Sequence, residues 1–178
     1  MKIRPYKKYN GRENLLIELD GFERLPKSLD FSSPYFHATI LLDYGDIPDE
    51  VSIDDPLIDF LDSLLDRGGA YFICGGTAGE RIHNYIDDLI LFDEIDKKWK
   101  YPLQPGKHPF PADGCILTTW HDDESVEEII WYALHAAYSP DVCMKENPTN
   151  LFFLMQSSPY LEKVKECLEN PSGVDPDY

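Results

Sequence analysis

A chain of 178 residues has the size of one domain, and 43% hydrophobic with 28% charged residues is ordinary globular usage, which excludes wholesale disorder. Sixteen Lys and Arg against thirty-three Asp and Glu leave a formal charge of −17. A surface of that sign repels phosphate backbones and anionic bilayers, so nucleic acid and membrane are poor partners, while a basic protein suits it.

The opening Met1-Lys2-Ile3-Arg4-Pro5-Tyr6 carries positive charge with no apolar run behind it. No stretch approaches the roughly 18 apolar residues of a membrane span. Cys74, Cys115, Cys143 and Cys167 are scattered without a C-x-x-C pair, the pattern of reduced, buried thiols rather than of a disulfide framework or zinc module. The expected compartment is the cytoplasm. Charge is uneven: residues 1–30 hold seven basic and five acidic side chains, whereas residues 31–178 hold nine basic and twenty-eight acidic. Residues 1–30 therefore read as a weakly basic arm, either laid over an acidic body or simply solvated. Within it, Leu15–Leu19 is open between an edge strand and a short helix.

From residue 36 the pattern is regular. Phe36–Leu42 is a strand ending at Asp43-Tyr44-Gly45-Asp46. Asp55-Pro56 caps a helix whose Leu57, Leu61, Leu64 and Leu65 share one face, with Asp55, Asp59, Asp62 and Asp66 on the wet side and Gly68-Gly69 closing it. Ala70–Cys74 is the second strand, running into Gly75-Gly76. Thr77 with Glu80 has capping-box spacing and opens a helix to about Leu91. A proline-rich stretch from Asp93 to Asp113, with Lys97, Lys98, Lys100 and Lys107, reads as a flap or a cover. Cys115–Thr119 is the third strand. Ser125 and Glu128 form a second capping box, before a helix with Val126, Ile129, Ile130, Ala133, Leu134 and Ala137 on its apolar face. Leu151–Met155 is the fourth strand, Ser158-Pro159 begins the last helix, and residues 170–178 read as a flexible tail.

Four strand–helix units in series predict an α/β fold. The expectation is a single three-layer domain over residues 31–169, with a mostly parallel sheet of about four or five strands and helices on both faces, flavodoxin-like or Rossmann-like. Numbering these strands one to four, the expected order is 2-1-3-4, which puts the ligand crevice between the turns after the first and third.

Those strand-end turns carry the chemistry. His121, beside Asp122, Asp123 and Glu124, suits general acid/base work with help from Asp43 or Glu124, although acids at a helix start also cap free amides. The crevice is expected to be lined by Tyr44, Cys74, Gly75, Gly76, Thr119, Trp120, Asp122 and Ser157. An aspartate ending an apolar strand is also how magnesium is held in phosphoryl-transfer sites. Asp43-Tyr44-Gly45-Asp46, however, is not Asp-x-Asp, and such an aspartate commonly bonds turn amides. Gly75-Gly76-Thr77-Ala78-Gly79 lacks both the G-x-G-x-x-G fingerprint and the P-loop lysine, and Cys74 beside it reads as a buried thiol. Neither G-x-S-x-G nor H-E-x-x-H occurs, no His/Cys spacing matches a metal motif, and no cofactor is called for.

Thr118-Thr119-Trp120-His121-Asp122-Asp123-Glu124, taken with Ala70-Tyr71-Phe72-Ile73-Cys74-Gly75-Gly76, resembles a bacterial domain-of-unknown-function family in which a strand ends in Thr-Thr-Trp-His plus acids. The likeness spans residues 36–156. It implies a small bacterial α/β domain and carries over no activity. Two functions follow from the residues: a non-catalytic interaction module for a basic partner, immunity-like or scaffold, or a small enzyme working at the strand ends. The absence of a complete catalytic motif favours the first.

Overall fold

The computed structural model describes residues 1–26, 29–52, 55–96, 101–102 and 116–174. Among these residues six strands form one sheet: β1 (Lys2–Tyr9), β2 (Arg12–Leu19), β3 (Phe36–Leu41), β4 (Gly69–Gly75), β5 (Leu117–His121) and β6 (Thr149–Met155). Their spatial order is β1-β2-β6-β3-β4-β5. β1 pairs antiparallel with β2, and the other pairs, β2–β6, β6–β3, β3–β4 and β4–β5, are parallel. Helices α1 (Pro56–Asp66) and α2 (Gly79–Ile95) pack on one face, over Phe36, Ala38, Ile40, Phe72, Leu151 and Phe153. Helices α3 (Val126–Trp131) and α5 (Leu161–Glu169) cover the other, over Leu16, Leu41, Ile73, Phe152 and Leu154. The short α4 (Asp141–Lys145) precedes β6. This is the expected three-layer α/β domain with a mostly parallel sheet. A strand buried on both faces must be apolar throughout, and β3, β4 and β6 are.

Strand order departs from expectation. In the four-strand numbering it is 4-1-2-3, not 2-1-3-4. The reason is readable in side-chain character. Leu117-Thr118-Thr119-Trp120 is half exposed, which suits an edge, whereas every residue from Thr149 to Leu154 is buried, which demands a neighbour on each side. The chain therefore crosses back after β5 and enters beside β3, and strand order reverses between β3 and β6.

Residues 2–19 of the expected arm are instead two strands of the sheet. Asn10 (φ 48°) and Gly11 (φ 79°) both take the positive φ of a type I′ hairpin, joining β1 to β2. β2 is interior, with Leu16, Ile17 and Leu19 fully buried, and the buried Glu18 bonds Arg4 of β1. This adds two strands to the four read from the sequence. Likewise the expected tail packs in part: Pro171 and Val174 are buried, and Asn170 N–H donates to the Glu166 carbonyl.

Several local signals hold. Asp55 Oδ1 accepts from Leu57 N at 2.8 Å, and Ser125 and Glu128 form their reciprocal box. Others do not. Thr77 caps nothing on α2, because its hydroxyl is engaged by Asp43, and α2 runs on to Ile95. Ser158 instead supports a turn, accepting from Tyr160 N at 3.3 Å, and α5 starts at Leu161. The acidic face of α1 is not simply its wet side, since Arg24 lies 3.1–3.5 Å from Asp59, Asp62 and Asp66. The third helix ends in a π-helical turn, Tyr132–Ala136. Lys97, Lys98, Lys100, Lys107 and Cys115 lie outside the described residues, whereas Tyr101, in the expected flap, is buried and donates to Asp62 Oδ1 at 2.7 Å.

Candidate functional site

Parallel sheets bind ligands beyond the carboxyl ends of their strands, and a cavity of about 480 Å³ opens there. Tyr44 after β3, Gly76, Thr77 and Glu80 after β4, His121–Glu124 after β5, and Tyr160 before α5 line it. The β4 turn can approach so closely because of glycine. Gly76 sits at φ +80°, and a Cβ there would collide with the Leu42 carbonyl.

β5 delivers His121 to the cavity floor, 8% exposed and paired with Gly75 across the ladder. Its Nδ1 lies 2.8 Å from Glu124 Oε2 and its Nε2 3.3 Å from Thr119 Oγ1. A carboxylate only accepts, so the neutral ring carries its proton on Nδ1, leaving Nε2 to accept from the Thr119 hydroxyl. The Tyr132 ring, from the π-helical turn, lies 4.6 Å away, and its hydroxyl meets Tyr71 at 2.5 Å. Burial and then the Tyr71 bond push the Tyr132 phenol well above its ordinary range. His121 is thereby fixed from three sides. Glu124 reaches back because Asp123 between them takes a left-handed conformation, φ 59°, which is uncommon for a non-glycine residue.

Asp43 has a different task. Its Oδ1 accepts from Thr77 N (2.9 Å), Thr77 Oγ1 (3.0 Å) and the Tyr160 hydroxyl (2.9 Å). It joins the turns after β3, β4 and β6 across the point where strand order reverses, and no hydrogen bond links it to His121 among the described residues. An acid/base partnership of Asp43 with His121 is therefore set aside. Asp43 holds the crevice wall together, and Glu124 is the acid at the imidazole.

The other expected residues divide. Tyr44, Gly76 and Asp122 line the cavity, and Thr119 reaches it through His121. Cys74 is fully buried in the core on the α1–α2 face, where desolvation pushes its thiol far above the ordinary range, so it is neither crevice wall nor nucleophile. Gly75 lies beneath the floor, where a Cβ would meet Ile129 and Leu41. Trp120, next to His121 in a strand, points to the opposite face and packs 4.6 Å from His83 of α2. Ser157 is exposed and outside the lining. In its place the turn contributes Tyr160, hidden in the sequence behind a Ser-Pro pair that reads as a helix cap. Thr77 also belongs to the glycine-rich turn after β4, whereas Glu80 reads in the sequence as a capping residue alone.

Electrostatically the cavity is one-sided. Glu80, Asp122, Asp123 and Glu124 line it, and no Lys or Arg does among the described residues. Arg81, the nearest in sequence, turns away to the Tyr85 hydroxyl and the Asp49 carbonyl. No three His, Cys, Asp or Glu side chains among the described residues converge as a metal site. No helix among them is long and apolar enough to cross a membrane.

The chain belongs to the family Domain of unknown function (DUF7684), whose model matches residues 15–171. The match extends past the Thr-Thr-Trp-His turn in both directions, taking in residues 15–19 of β2 and all of α5 and so both sides of the order reversal. No curated protein and no solved structure matches the chain.

Proposed function

We propose that this member of the family is a non-catalytic interaction module, neutralising or scaffolding a basic partner protein, and that the partner's cationic side chains enter the strand-end crevice. One observation carries the reading: a cavity of about 480 Å³ lined by four carboxylates, with no Lys or Arg among its described lining residues. Tyr44 and Tyr160 add aromatic surface against which a guanidinium or ammonium can rest. The overall −17 supplies long-range attraction, and the buried thiols of Cys74, Cys143 and Cys167 suit a reducing, cytoplasmic setting.

The test is calorimetric titration with an arginine-rich peptide at fixed ionic strength. The triple variant E80Q/D122N/E124Q removes three crevice carboxylates. A control removing three exposed acids elsewhere, E23Q/D59N/E166Q, changes net charge equally. The reading expects the crevice variant to lose roughly tenfold or more in affinity and the control less than about threefold. Equal losses would reduce the binding to bulk charge.

A second reading has its own observation. The Thr119–His121–Glu124 chain fixes an imidazole tautomer, as acid/base catalysis requires. His121→Gln tests this second reading, which expects turnover of a crevice-bound substrate to fall roughly 100-fold or more.

A further inference from the structure

The two edges of the sheet are treated differently. β1 carries Lys2, Arg4, Lys7 and Lys8, a proline at Pro5, and a register shift between Tyr6 and Tyr9. Charge, proline and irregular pairing are the devices by which edge strands refuse further strands. β5, at the other edge, has none of them. Leu117-Thr118-Thr119-Trp120-His121 contains neither lysine nor proline, pairs with β4 in unbroken register, and has no strand on its outer side among the described residues. Leu117 is 37% and Trp120 48% exposed along it.

We propose that the outer edge of β5 accepts an extended basic segment of the partner as an additional strand. The inference rests on the crevice reading above, because it uses the same partner. Main-chain hydrogen bonds to β5 supply affinity that no side-chain cluster can give, and exposed Leu117 and Trp120 present apolar surface to the incoming strand's side chains. The charge around the edge selects a basic occupant. Asp87 of α2 reaches the strand through Thr118 Oγ1 at 2.7 Å, and Asp122, Asp123 and Glu124 follow directly where the strand ends. A segment lying along β5 therefore delivers its terminal cations to the mouth of the crevice. A second copy of this chain is disfavoured as the occupant: it carries −17 itself, and its basic edge is guarded by Pro5 and the Tyr6/Tyr9 irregularity.

The experiment uses the full chain and two peptides of equal charge. One is Lys-Lys-Thr-Val-Thr-Val-Thr-Lys-Lys; the other is the same sequence with alternate central amides N-methylated. The unmodified peptide should bind roughly tenfold tighter or more, and should slow amide hydrogen exchange at residues 117–121. Equal affinities, binding of neither peptide, or unchanged exchange along β5 would overturn the edge site. So would concentration-dependent protection of the same amides without peptide, which assigns the edge to a second copy. Glu80→Gln, which removes a crevice acid that the edge argument does not use, separates the two claims. If it loses affinity for both peptides but the methylated one binds as well as the other, the crevice reading stands and the edge falls. If discrimination between the peptides survives with no loss of affinity, the edge stands and the crevice reading falls.

Discussion

The Tyr160 hydroxyl donates to Asp43 Oδ1 at 2.9 Å, joining side chains 117 positions apart. β6 and β3 are neighbours, and the segments that follow them leave toward opposite faces of the sheet, so a gap opens between the two turns. Asp43 bridges that gap, with Thr77 from the β4 turn as its third attachment. The crevice is therefore a braced opening.

Removing either end of the brace should be measurable. Tyr160→Phe deletes a part-buried hydrogen bond to a carboxylate and should cost about 1–2 kcal/mol, and Asp43→Ala should cost at least as much, the exposed Thr77 donors it also releases being open to water. Urea unfolding reads both. Burial first, then the bond to Asp43, raises the Tyr160 phenol above 10, so in Asp43→Asn its ultraviolet titration should move to lower pH. Unchanged stability in Asp43→Ala would remove the brace from the account.

A buried histidine at the other end of the sheet sets an acid limit. His37 is 1% exposed, accepts at Nδ1 from Arg12 at 3.3 Å and donates from Nε2 to Ser139 Oγ at 3.0 Å. Desolvation, reinforced by Arg12, lowers its pKa from 6.5 to about 3. Below 6.5 the unfolded chain takes up a proton that the folded chain refuses. Stability from this group is thus complete above 6.5 and falls as the pH drops toward about 3, by up to ~1.4 kcal/mol per pH unit. His37→Gln, which keeps an acceptor and a donor, should flatten the slope of unfolding free energy between about pH 6 and 4.5 relative to the unmodified chain. Parallel slopes would contradict the assignment.

Two glycines beside the crevice should respond oppositely. Gly76→Ala forces an L side chain to φ +80° and against the Leu42 carbonyl, and should cost more than about 1 kcal/mol. Gly45 has no atom within 4 Å of an added Cβ, and Gly45→Ala should stay within about 0.5 kcal/mol. Thermal melts compare them directly.

Binding of a basic partner should weaken steeply as salt rises from about 20 to 150 mM, the range over which exposed charges become screened. Salt-independent affinity would point to an apolar contact instead. Trp131 is poorly placed for one, being stacked on His135 at 5.2 Å, while Trp99 lies outside the described residues.

What the sequence disclosed followed from local chemistry. Asp55-Pro56, the Leu57–Leu65 stripe and the Ser125–Glu128 box each act within a few residues, so four strand–helix units were legible. Strand order was not, because it depends on where the return crossover lands, and that is decided by which strands need two neighbours. That need is legible in the half-polar Leu117–Trp120 beside the wholly apolar Leu151–Leu154. The hairpin at Asn10-Gly11 carried the strongest short-range turn signal in the chain but was obscured by the basic charge of β1. At the site, sequence proximity grouped Trp120 with His121, although strand alternation sends them to opposite faces. Tyr160 could be found only through the fold, since nothing local couples it to Asp43.

The central claim is the location of binding, and chemical-shift mapping of the arginine-rich peptide on isotopically labelled protein tests it most directly. The account predicts saturable backbone shifts concentrated at Tyr44, Thr77, Glu80 and residues 121–124, with the acidic face of α1 at Asp59 and Asp66 unmoved because Arg24 already occupies it. Shifts spread evenly over the acidic surface, or centred on α1 with the crevice silent, would contradict it.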